Sequence, residues 1–275
     1  MNRTYCVLLF IILFVLLINL KNNENFQNKN QFKERKVISF CITCMNRLWQ
    51  LKQTLPKNLI ENKKYMDKIE FVLVNFVKDK EGDNIDKYVR DNFKKEIESG
   101  YLKYYVTKEL KSWNASVAKN TSHNYATGKL LYNLDCDNFV INEEIEQILN
   151  SYRNNDNYLY FGWSDTWKDG TAGRVCATNK QFREVNGYNQ NLDATGYEDL
   201  DLLRRIESKY NLTIEKPKGF VKPSLDQVCK QFEGKIEDCY SEAYSFYNHY
   251  ESNGWLVGPN PMSCWRACTN NWIRR

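Results

Sequence analysis

The sequence predicts an α/β protein with a mostly parallel central sheet and helices on both faces. Three observations predict this fold class. Short apolar runs typical of buried strands alternate with segments whose apolar residues recur at helical spacing. The segments between successive strands are long enough for the crossovers that parallel strands need. The composition, 42% hydrophobic and 27% charged, is that of an ordinary globular protein, and a formal charge of +5 is too weak to indicate a nucleic-acid partner.

The first half of the chain is predicted to contribute four strands. We predict strands over 36–44, 69–76, 101–107 and 130–134, with helices over 46–62, 84–100 and 114–129 between them. Gly100 and Gly128 are expected to end the second and third of these helices. Ligands of such sheets bind beyond the carboxyl ends of the strands, which places residues 43–47 and 135–137 in one crevice.

The second half continues with shorter elements. We predict strands over 157–163 and 173–179, a short helix over 180–188 and a longer helix from Tyr197. The longer helix has one apolar face and an acidic first turn, which contains Glu198, Asp199 and Asp201. Acidic residues at a helix N-terminus are stabilised by the helix dipole, so a purely structural role is one interpretation of this cluster.

An apolar segment, Tyr5–Leu20, precedes the predicted domain. As a helix it would be about 24 Å long, which suits the thinner secretory membranes. No small-x-small cleavage site follows it, so an uncleaved signal anchor is favoured over a cleaved signal peptide. We predict an anchor (transmembrane helix) over 1–20, a polar stem over 21–36, the α/β domain over 37–215 and a C-terminal extension over 216–275.

This organisation predicts a single-pass type II membrane protein with its domain in the lumen of an ER- or Golgi-like secretory membrane. The opposite orientation stays open, because positive charge lies on both sides of the span. Sequons that begin at Asn114, Asn120 and Asn211 permit glycosylation in such a lumen.

Eight cysteines follow the anchor segment: Cys41, Cys44, Cys136, Cys176, Cys229, Cys239, Cys264 and Cys268. In a lumenal domain, an even number permits disulfides among the last four. A zinc site built from Cys41-x-x-Cys44 and Cys264-x3-Cys268 is an alternative. Because Cys41 and Cys44 have opposite parity in a strand, they face opposite sides of the sheet, and we predict buried core thiols for this pair.

Asp135 and Asp137 stand two residues apart directly after the fourth predicted strand. In an extended chain, residues i and i+2 point to the same side, so both carboxylates crowd one small volume. Two anions at that distance repel unless a cation or hydrogen-bond donors compensate them. The sequence has no glycine-rich phosphate-binding loop, so a divalent metal is the expected compensator.

These segments together resemble glycosyltransferases of the GT-A fold. The resemblance covers about 37–210 and is closest to the family 2 type whose last part is similar to the galactosyltransferase C-terminal domain. It rests on FCITCMNRLWQLKQTLPKNL, on SVAKNTSHNYATGKLLYNLDCDNFV around the Asp-x-Asp, and on GRVCATNKQFREVNGYNQNLDATGYEDLDLLRRI. The last segment lacks the Trp-Gly-Gly that precedes the acidic pair in galactosyltransferases, which leaves the donor and the acceptor open.

The resemblance implies roles for the acidic residues. Asp137 is expected to bind Mn²⁺ or Mg²⁺ directly, and Asp135 to contact the ribose or the water shell of the metal. Asp199 is expected to be the general base and Glu198 to place the acceptor, although the family pattern leaves these two roles exchangeable. His249 is a candidate third metal ligand, with an ordinary aromatic-cluster residue as the alternative.

The same resemblance implies contacts to the nucleotide-sugar. Thr43, Asn46 and Arg47 are expected to touch the nucleotide, with helix capping by Thr43 or Asn46 as the competing interpretation. Lys119 and Asn120 are expected to approach the uridine or the diphosphate, with a solvated helix face as the alternative. His123, on the same predicted helix, is expected to be structural.

Three tryptophans, Trp113, Trp163 and Trp167, are candidates for the acceptor side, because flat rings stack on the apolar faces of sugars. Trp167 lies in a polar loop and is the better candidate for stacking on the acceptor. Trp163 lies in an apolar strand and is assigned to the core.

The predicted function is metal-dependent, inverting transfer of a hexose or N-acetylhexosamine from a UDP-sugar to a hydroxyl of a glycan or protein-linked acceptor. Inversion is implied by the family, and one base without an evident nucleophile is consistent with it. A nucleotidyltransferase is one alternative, but the loop after the first strand contains no glycine. A catalytically silent carbohydrate-binding module is the other. The oligomeric state stays open.

Overall fold

The computed structural model describes residues 36–153, 155, 157–163, 170–192, 196–219, 221–222 and 224–230. The strands are β1 (Ile38–Cys44), β2 (Ile69–Phe76), β3 (Leu102–Thr107), β4 (Leu130–Asn133), β5 (Leu159–Phe161) and β6 (Val175–Thr178). The α-helices are α1 (Leu48–Glu61), α2 (Lys80–Asn92), α3 (Lys94–Ser99), α4 (Ala115–Tyr125), α5 (Asn142–Tyr152), α6 (Asn179–Glu184), α7 (Glu198–Tyr210) and α8 (Leu225–Lys230). A single 3-10 turn, Lys63–Tyr65, follows α1.

The six strands form one sheet in the order β3-β2-β1-β4-β6-β5. The first four are parallel to one another, with Ile38 of β1 opposite Ile69 of β2 and Leu130 of β4. Strand β6 runs antiparallel to both β4 and β5. The prediction of a mostly parallel sheet is therefore confirmed, and the antiparallel β6 lies between β5 and β4, the strand that leads to Asp135.

Two apolar layers enclose the sheet. Cys44 packs in one layer with Leu51 and Leu55 of α1. Cys41 packs in the other with Leu203 of α7. The opposite faces predicted for Cys41 and Cys44 are thus confirmed, because alternate residues of a strand point to opposite sides.

The described cysteines support buried core thiols. Cys41, Cys44, Cys136 and Cys176 are all free and buried. Burial raises the pKa of the Cys41 thiol well above its usual value. Cys264 and Cys268, the other half of the alternative zinc site, lie outside the described residues. Within the described ranges, no group of three His, Cys, Asp or Glu side chains is arranged to hold a metal ion.

Several helix boundaries differ from the prediction, including the start of α2 at Lys80 rather than at 84 and the end of α6 at Glu184 rather than at 188. The segment 84–100 lies in two helices, because Phe93 leaves helical geometry and its ring packs edge-on against Tyr88. Helix α4 ends at Tyr125 rather than at Gly128. Gly128 has a different role, since a Cβ there would lie 2.6 Å from Ser39 Oγ of the neighbouring strand. Gly100 does end its helix, with the left-handed φ of 75° that glycine adopts easily.

The predicted membrane anchor is not represented among these elements. No helix in the described part of the chain is long and apolar enough to span a bilayer. Residues 5–20 lie outside that part.

Candidate active site

The acidic loop directly follows β4, at the carboxyl end of the parallel strands. Asn138 N donates to Asp135 O at 2.8 Å, which closes a tight turn around the Asp-x-Asp. Asp137 is buried, with 7% of its surface exposed. Its pKa is raised to about 6 by burial and by the charges of Asp135 and Asp226, against the opposing effect of Arg47. Burial and the neighbouring carboxylates therefore disfavour the ionised form of Asp137, although Arg47 lies beside it.

Arg47 lies beside this loop, as predicted from the end of the first strand. Its Nη2 is 3.6 Å from Asp137 Oδ2 and also pairs with Asp226 Oδ2. Leu225 N donates to Asp137 O at 2.8 Å, which brings α8 and its Asp226 against the acidic loop. Asp226 was not predicted as a site residue, because it lies 89 positions after Asp137 in the segment assigned to the C-terminal extension.

Asp135 is positioned by two residues that sequence reasoning did not identify. Asn133 Nδ2 donates to Asp135 Oδ1 at 3.1 Å and to Gly173 O at 2.8 Å. A Cβ on Gly173 would lie 2.6 Å from Asp135 Oδ2. A glycine at this position therefore provides the space that the carboxylate occupies.

Asp137 is positioned through a buried relay, which was also not predicted. Asn138 Nδ2 donates to Asp137 Oδ1 at 3.1 Å, and Arg174 Nε donates to Asn138 Oδ1 at 2.8 Å. Arg174 is 1% exposed, lies 3.5 Å from Glu144 Oε2 and donates through Nη2 to Lys222 O at 2.5 Å. One buried guanidinium thus connects β6, α5, the acidic loop and the segment before α8.

The second acidic pair, Glu198 and Asp199, begins α7. Gly196 and Tyr197 before it adopt positive φ of 106° and 65°. Gly196 N donates to Glu198 Oε2 at 2.8 Å. Lys119 of α4 is 2.8 Å from Glu198 Oε1 and 2.8 Å from each carboxylate oxygen of Asp199. The pair is therefore directed at one buried ammonium, in addition to any contribution it makes to the helix dipole.

The charges of this cluster are coupled. Burial raises the pKa of Asp199 well above its usual value, and Glu198 and Asp135 add to the effect while Lys119 opposes it. The pKa of Glu198 is lowered despite burial, because Lys119 and the Gly196 N–H stabilise its anion. Burial disfavours the charged form of Lys119, but the three carboxylates outweigh it and raise the lysine pKa. Since Asp135 acts on both Lys119 and Asp199, the two acidic pairs belong to one electrostatic site.

The predicted nucleotide contacts at the first strand lie at the crevice. Thr43 is buried in β1, and Asn46, at a positive φ of 54°, donates to Asp79 Oδ2 at 2.7 Å. Helix α1 has Arg47 as its N-cap and no side-chain capping hydrogen bond. Helix capping by Thr43 or Asn46 is therefore not observed.

Asn120 and His123 hold α4 in place. Asn120 donates to Tyr188 O and accepts from Tyr188 N, both at 2.8 Å, so its amide is used by the backbone after α6. His123 stacks on Phe182 at 4.7 Å, and its Nδ1 lies 2.7 Å from Lys119 O. A carbonyl only accepts, so Nδ1 carries the proton, and burial lowers the His123 pKa to about 3. The structural role predicted for His123 is confirmed.

The two remaining candidates, His249 and Trp167, lie outside the described residues. Trp163 packs against Phe161 at 5.5 Å and borders the apolar layer that contains α7. This placement agrees with its assignment to the core.

Comparison with known proteins agrees with this geometry. Residues 157–227 match the family described as the N-terminal domain of galactosyltransferase, whereas the sequence motif had suggested the C-terminal domain. No curated protein matches the chain at the sequence level. The matched segment includes Gly173, Arg174, the Glu198–Asp199 pair and Asp226, which all belong to the site described above.

Solved structures with the same fold are distant in sequence. The mannosyltransferase PcManGT from Pyrobaculum calidifontis, solved in complex with GDP-Man and Mn²⁺, superposes with a TM-score of 0.53 at 12% identity, covering 88% of this chain and 81% of that one. A 1–349 fragment of S. aureus TarS gives 0.52 at 11% identity, covering 86% and 78%. These structures establish a GT-A-like fold, and together with the family match over residues 157–227 they support glycosyltransferase as the enzyme class of this chain.

Proposed function

We propose that the protein is a metal-dependent, inverting transferase of the family 2 type that moves a hexose or N-acetylhexosamine from a UDP-sugar to a hydroxyl of a glycan or protein-linked acceptor. The observation that supports this most directly is the convergence of two acidic pairs at one end of the sheet. Asp135 and Asp137 supply the donor side, and Glu198 and Asp199 supply the acceptor side. Carboxylates from both pairs raise the pKa of Lys119.

The donor side fits a divalent cation. Asp137 and Asp135 would hold it, since carboxylate oxygens are the ligands that Mn²⁺ and Mg²⁺ take in proteins. Burial and the charge of Asp135 raise the pKa of Asp137, and Asp226 Oδ1 is buried with no hydrogen-bond partner among the described residues. A cation beside these carboxylates would stabilise their ionised forms. When bound, the metal supplies Lewis-acid stabilisation of the departing diphosphate. The Mn²⁺ and GDP-Man in the PcManGT structure support this assignment by analogy of fold.

Three residues are assigned to diphosphate stabilisation, proton transfer and acceptor positioning. Arg47, beside Asp137, places a fixed positive charge where the negative charge of a diphosphate would develop. Asp199 takes the proton from the attacking hydroxyl, and its raised pKa makes the ionised carboxylate a stronger base. Glu198, held by the Gly196 N–H, is the carboxylate that positions the acceptor.

The hydrophobic segment Tyr5–Leu20 is proposed to anchor the enzyme as a single-pass type II protein, with the catalytic domain in the lumen of an ER- or Golgi-like membrane. The full chain should stay with the membranes after an alkaline carbonate wash, and deletion of residues 5–20 should release it. Release of the undeleted chain would contradict the anchor.

The function is tested by UDP release from the detergent-solubilised full chain across a panel of UDP-sugars, each with a panel of sugar acceptors. We expect release from one donor in Mn²⁺, and we expect it to stop when EDTA is added. In the same assay Asp199→Asn should lower transfer by about 100-fold. Release that continues undiminished in EDTA, or no release from any donor by folded protein, would refute the proposal.

A further inference from the structure

We propose that Lys119 is a positioning residue that holds Asp199 in its ionised, proton-accepting state, rather than a direct contact to the nucleotide. This inference rests on the proposed role of Asp199 as the base. It assigns to Lys119 a function different from the nucleotide contact that the family resemblance implies.

The proposal is based on the contacts of the Lys119 ammonium group. A lysine ammonium has three N–H donors. Lys119 Nζ has three carboxylate oxygens at 2.8 Å, one from Glu198 and two from Asp199, so its donors are all engaged by the acidic pair. Its side chain is 5% exposed. An ammonium that is enclosed in this way is directed at the acidic pair and away from solvent.

The backbone around Lys119 is fixed as well. Lys119 O accepts from His123 Nδ1 at 2.7 Å and from Ser122 Oγ at 2.9 Å. The neighbouring Asn120 is bound on both amide atoms by the backbone of Tyr188. At the start of α4, Asn114 accepts from Val117 N at 3.0 Å and caps the helix. Helix α4 therefore presents Lys119 to α7 from a rigid position.

The charges around Asp199 explain why a counter-ion is needed. Lys119 faces it from α4, Glu198 adjoins it on α7, and Asp135 acts from the loop after β4. The phenol of Tyr188, whose ring centroid lies 5.4 Å from Lys119 Nζ, is kept neutral by burial. Without the ammonium, burial and the two neighbouring carboxylates, Glu198 and Asp135, would together favour a proton on Asp199. A protonated carboxyl group accepts no proton from a hydroxyl.

The test measures the protonation of Asp199 directly, without any substrate. Carbodiimide activates protonated carboxyl groups for coupling to glycine ethyl ester, and peptide mass spectrometry locates the product. The full chain is labelled between pH 5 and 8 as wild type, Lys119→Met, Lys119→Gln and Lys119→Arg. We expect labelling of Asp199 to extend at least one pH unit higher in the Met and Gln variants and to stay near the wild-type profile in the Arg variant.

Asp201 provides the internal control. It lies on the same helix turn but pairs with Arg205 at 2.6 Å, so its labelling should be the same in every variant. Lys119→Gln removes the charge but keeps a polar side chain, one atom shorter than that of lysine, which allows the test to proceed if the Met variant does not fold. An Asp199 profile that is unchanged in a folded Met or Gln variant would overturn the proposal.

Kinetics separate the two roles of Lys119. A positioning role predicts that Lys119→Gln lowers kcat and moves the acid limb of its pH profile upward, with the donor KM nearly unchanged. A nucleotide contact predicts a higher donor KM with the pH profile in place, and this result would contradict the proposal. The labelling result does not depend on turnover, so an Asp199 shift in a protein without transferase activity would refute the proposed function alone.

Discussion

For Asp137 and Asp199, burial disfavours the ionised form that their proposed functions require. Folding raises the pKa of both, so each ionised form makes the folded state less stable. For Asp137, this contribution to stability is greatest below about pH 3.9 and is lost as the pH rises through about 6. The penalty falls on the residues assigned to metal binding and proton transfer, where a bound cation or substrate would offset it.

Gly173 offers a direct test of how Asp135 is positioned. Alanine at this position would place a Cβ 2.6 Å from Asp135 Oδ2, so the carboxylate must move. We expect Gly173→Ala to weaken UDP binding in Mn²⁺ about tenfold, which corresponds to about 1.4 kcal/mol. Isothermal titration calorimetry measures the affinity.

Gly219→Ala is the matched control, because a Cβ at Gly219 meets no atom within 4 Å. It should bind UDP with wild-type affinity. Equal affinity for the two variants would show that Gly173 does not position the carboxylate.

His123 predicts a pH dependence of stability. Its pKa is about 3 in the folded chain and about 6.5 when unfolded, so the unfolded chain takes up a proton first as the pH falls. The stability from neutral His123 is therefore present above about pH 6.5 and is lost progressively as the pH falls toward about 3.

Between pH 7 and 5.5 the wild type should lose about 1 kcal/mol more stability than His123→Asn, which has no titrating ring. Urea unfolding at the two pH values measures the difference. Identical losses would mean that His123 is not kept neutral by the fold.

At the scale of elements, contacts from other segments of the chain position the acidic loop that contains Asp135 and Asp137. Arg174, directly before β6, donates to Asn138, which donates to Asp137, and it also donates to the carbonyl of Lys222 before α8. Helix α8 in turn donates Leu225 N to Asp137 O. Lys222, Leu225 and Asp226, in the segment assigned by prediction to the extension, thus contact the site.

Removing the Arg174 charge should destabilise the whole arrangement. In Arg174→Met, Glu144 and Asn138 lose a buried partner, and we expect the free energy of unfolding to fall by about 3–5 kcal/mol. Lys87→Met is the control, because its pair with Asp91 is exposed and solvent-screened, so its loss should change stability little. Urea unfolding measures the loss of unfolding free energy in both variants. Equal losses would contradict the role assigned to Arg174.

Local patterns in the sequence predicted most of the elements. Every described strand of the sheet lies within a predicted apolar run, and the crevice at Arg47 and Asp137 followed from strand ends alone. The boundary at Phe93 depends on where its ring packs, which local spacing does not reveal. Helix α5 was not predicted.

The supporting residues of the site were not predictable in the same way. Arg174, Asp226 and Gly173 act on residues 36 to 179 positions away or across neighbouring strands, and no local motif marks them. Lys119 was identified as a site residue, but its partners lie 79 and 80 positions further on, so its pairing needed the fold. Tertiary contact, rather than composition, determines these roles.

At the scale of the whole molecule, we propose that one crevice binds the donor with one acidic pair, Asp135 and Asp137, and activates the acceptor with the other, Glu198 and Asp199. The most direct measurement is UDP binding in Mn²⁺, by calorimetry, for the full-length Asp137→Asn and Asp199→Asn variants beside the wild type. We expect Asp137→Asn to lose metal-dependent UDP binding and Asp199→Asn to keep the wild-type affinity. Wild-type UDP affinity in Asp137→Asn, or equal loss in both variants, would contradict the proposal.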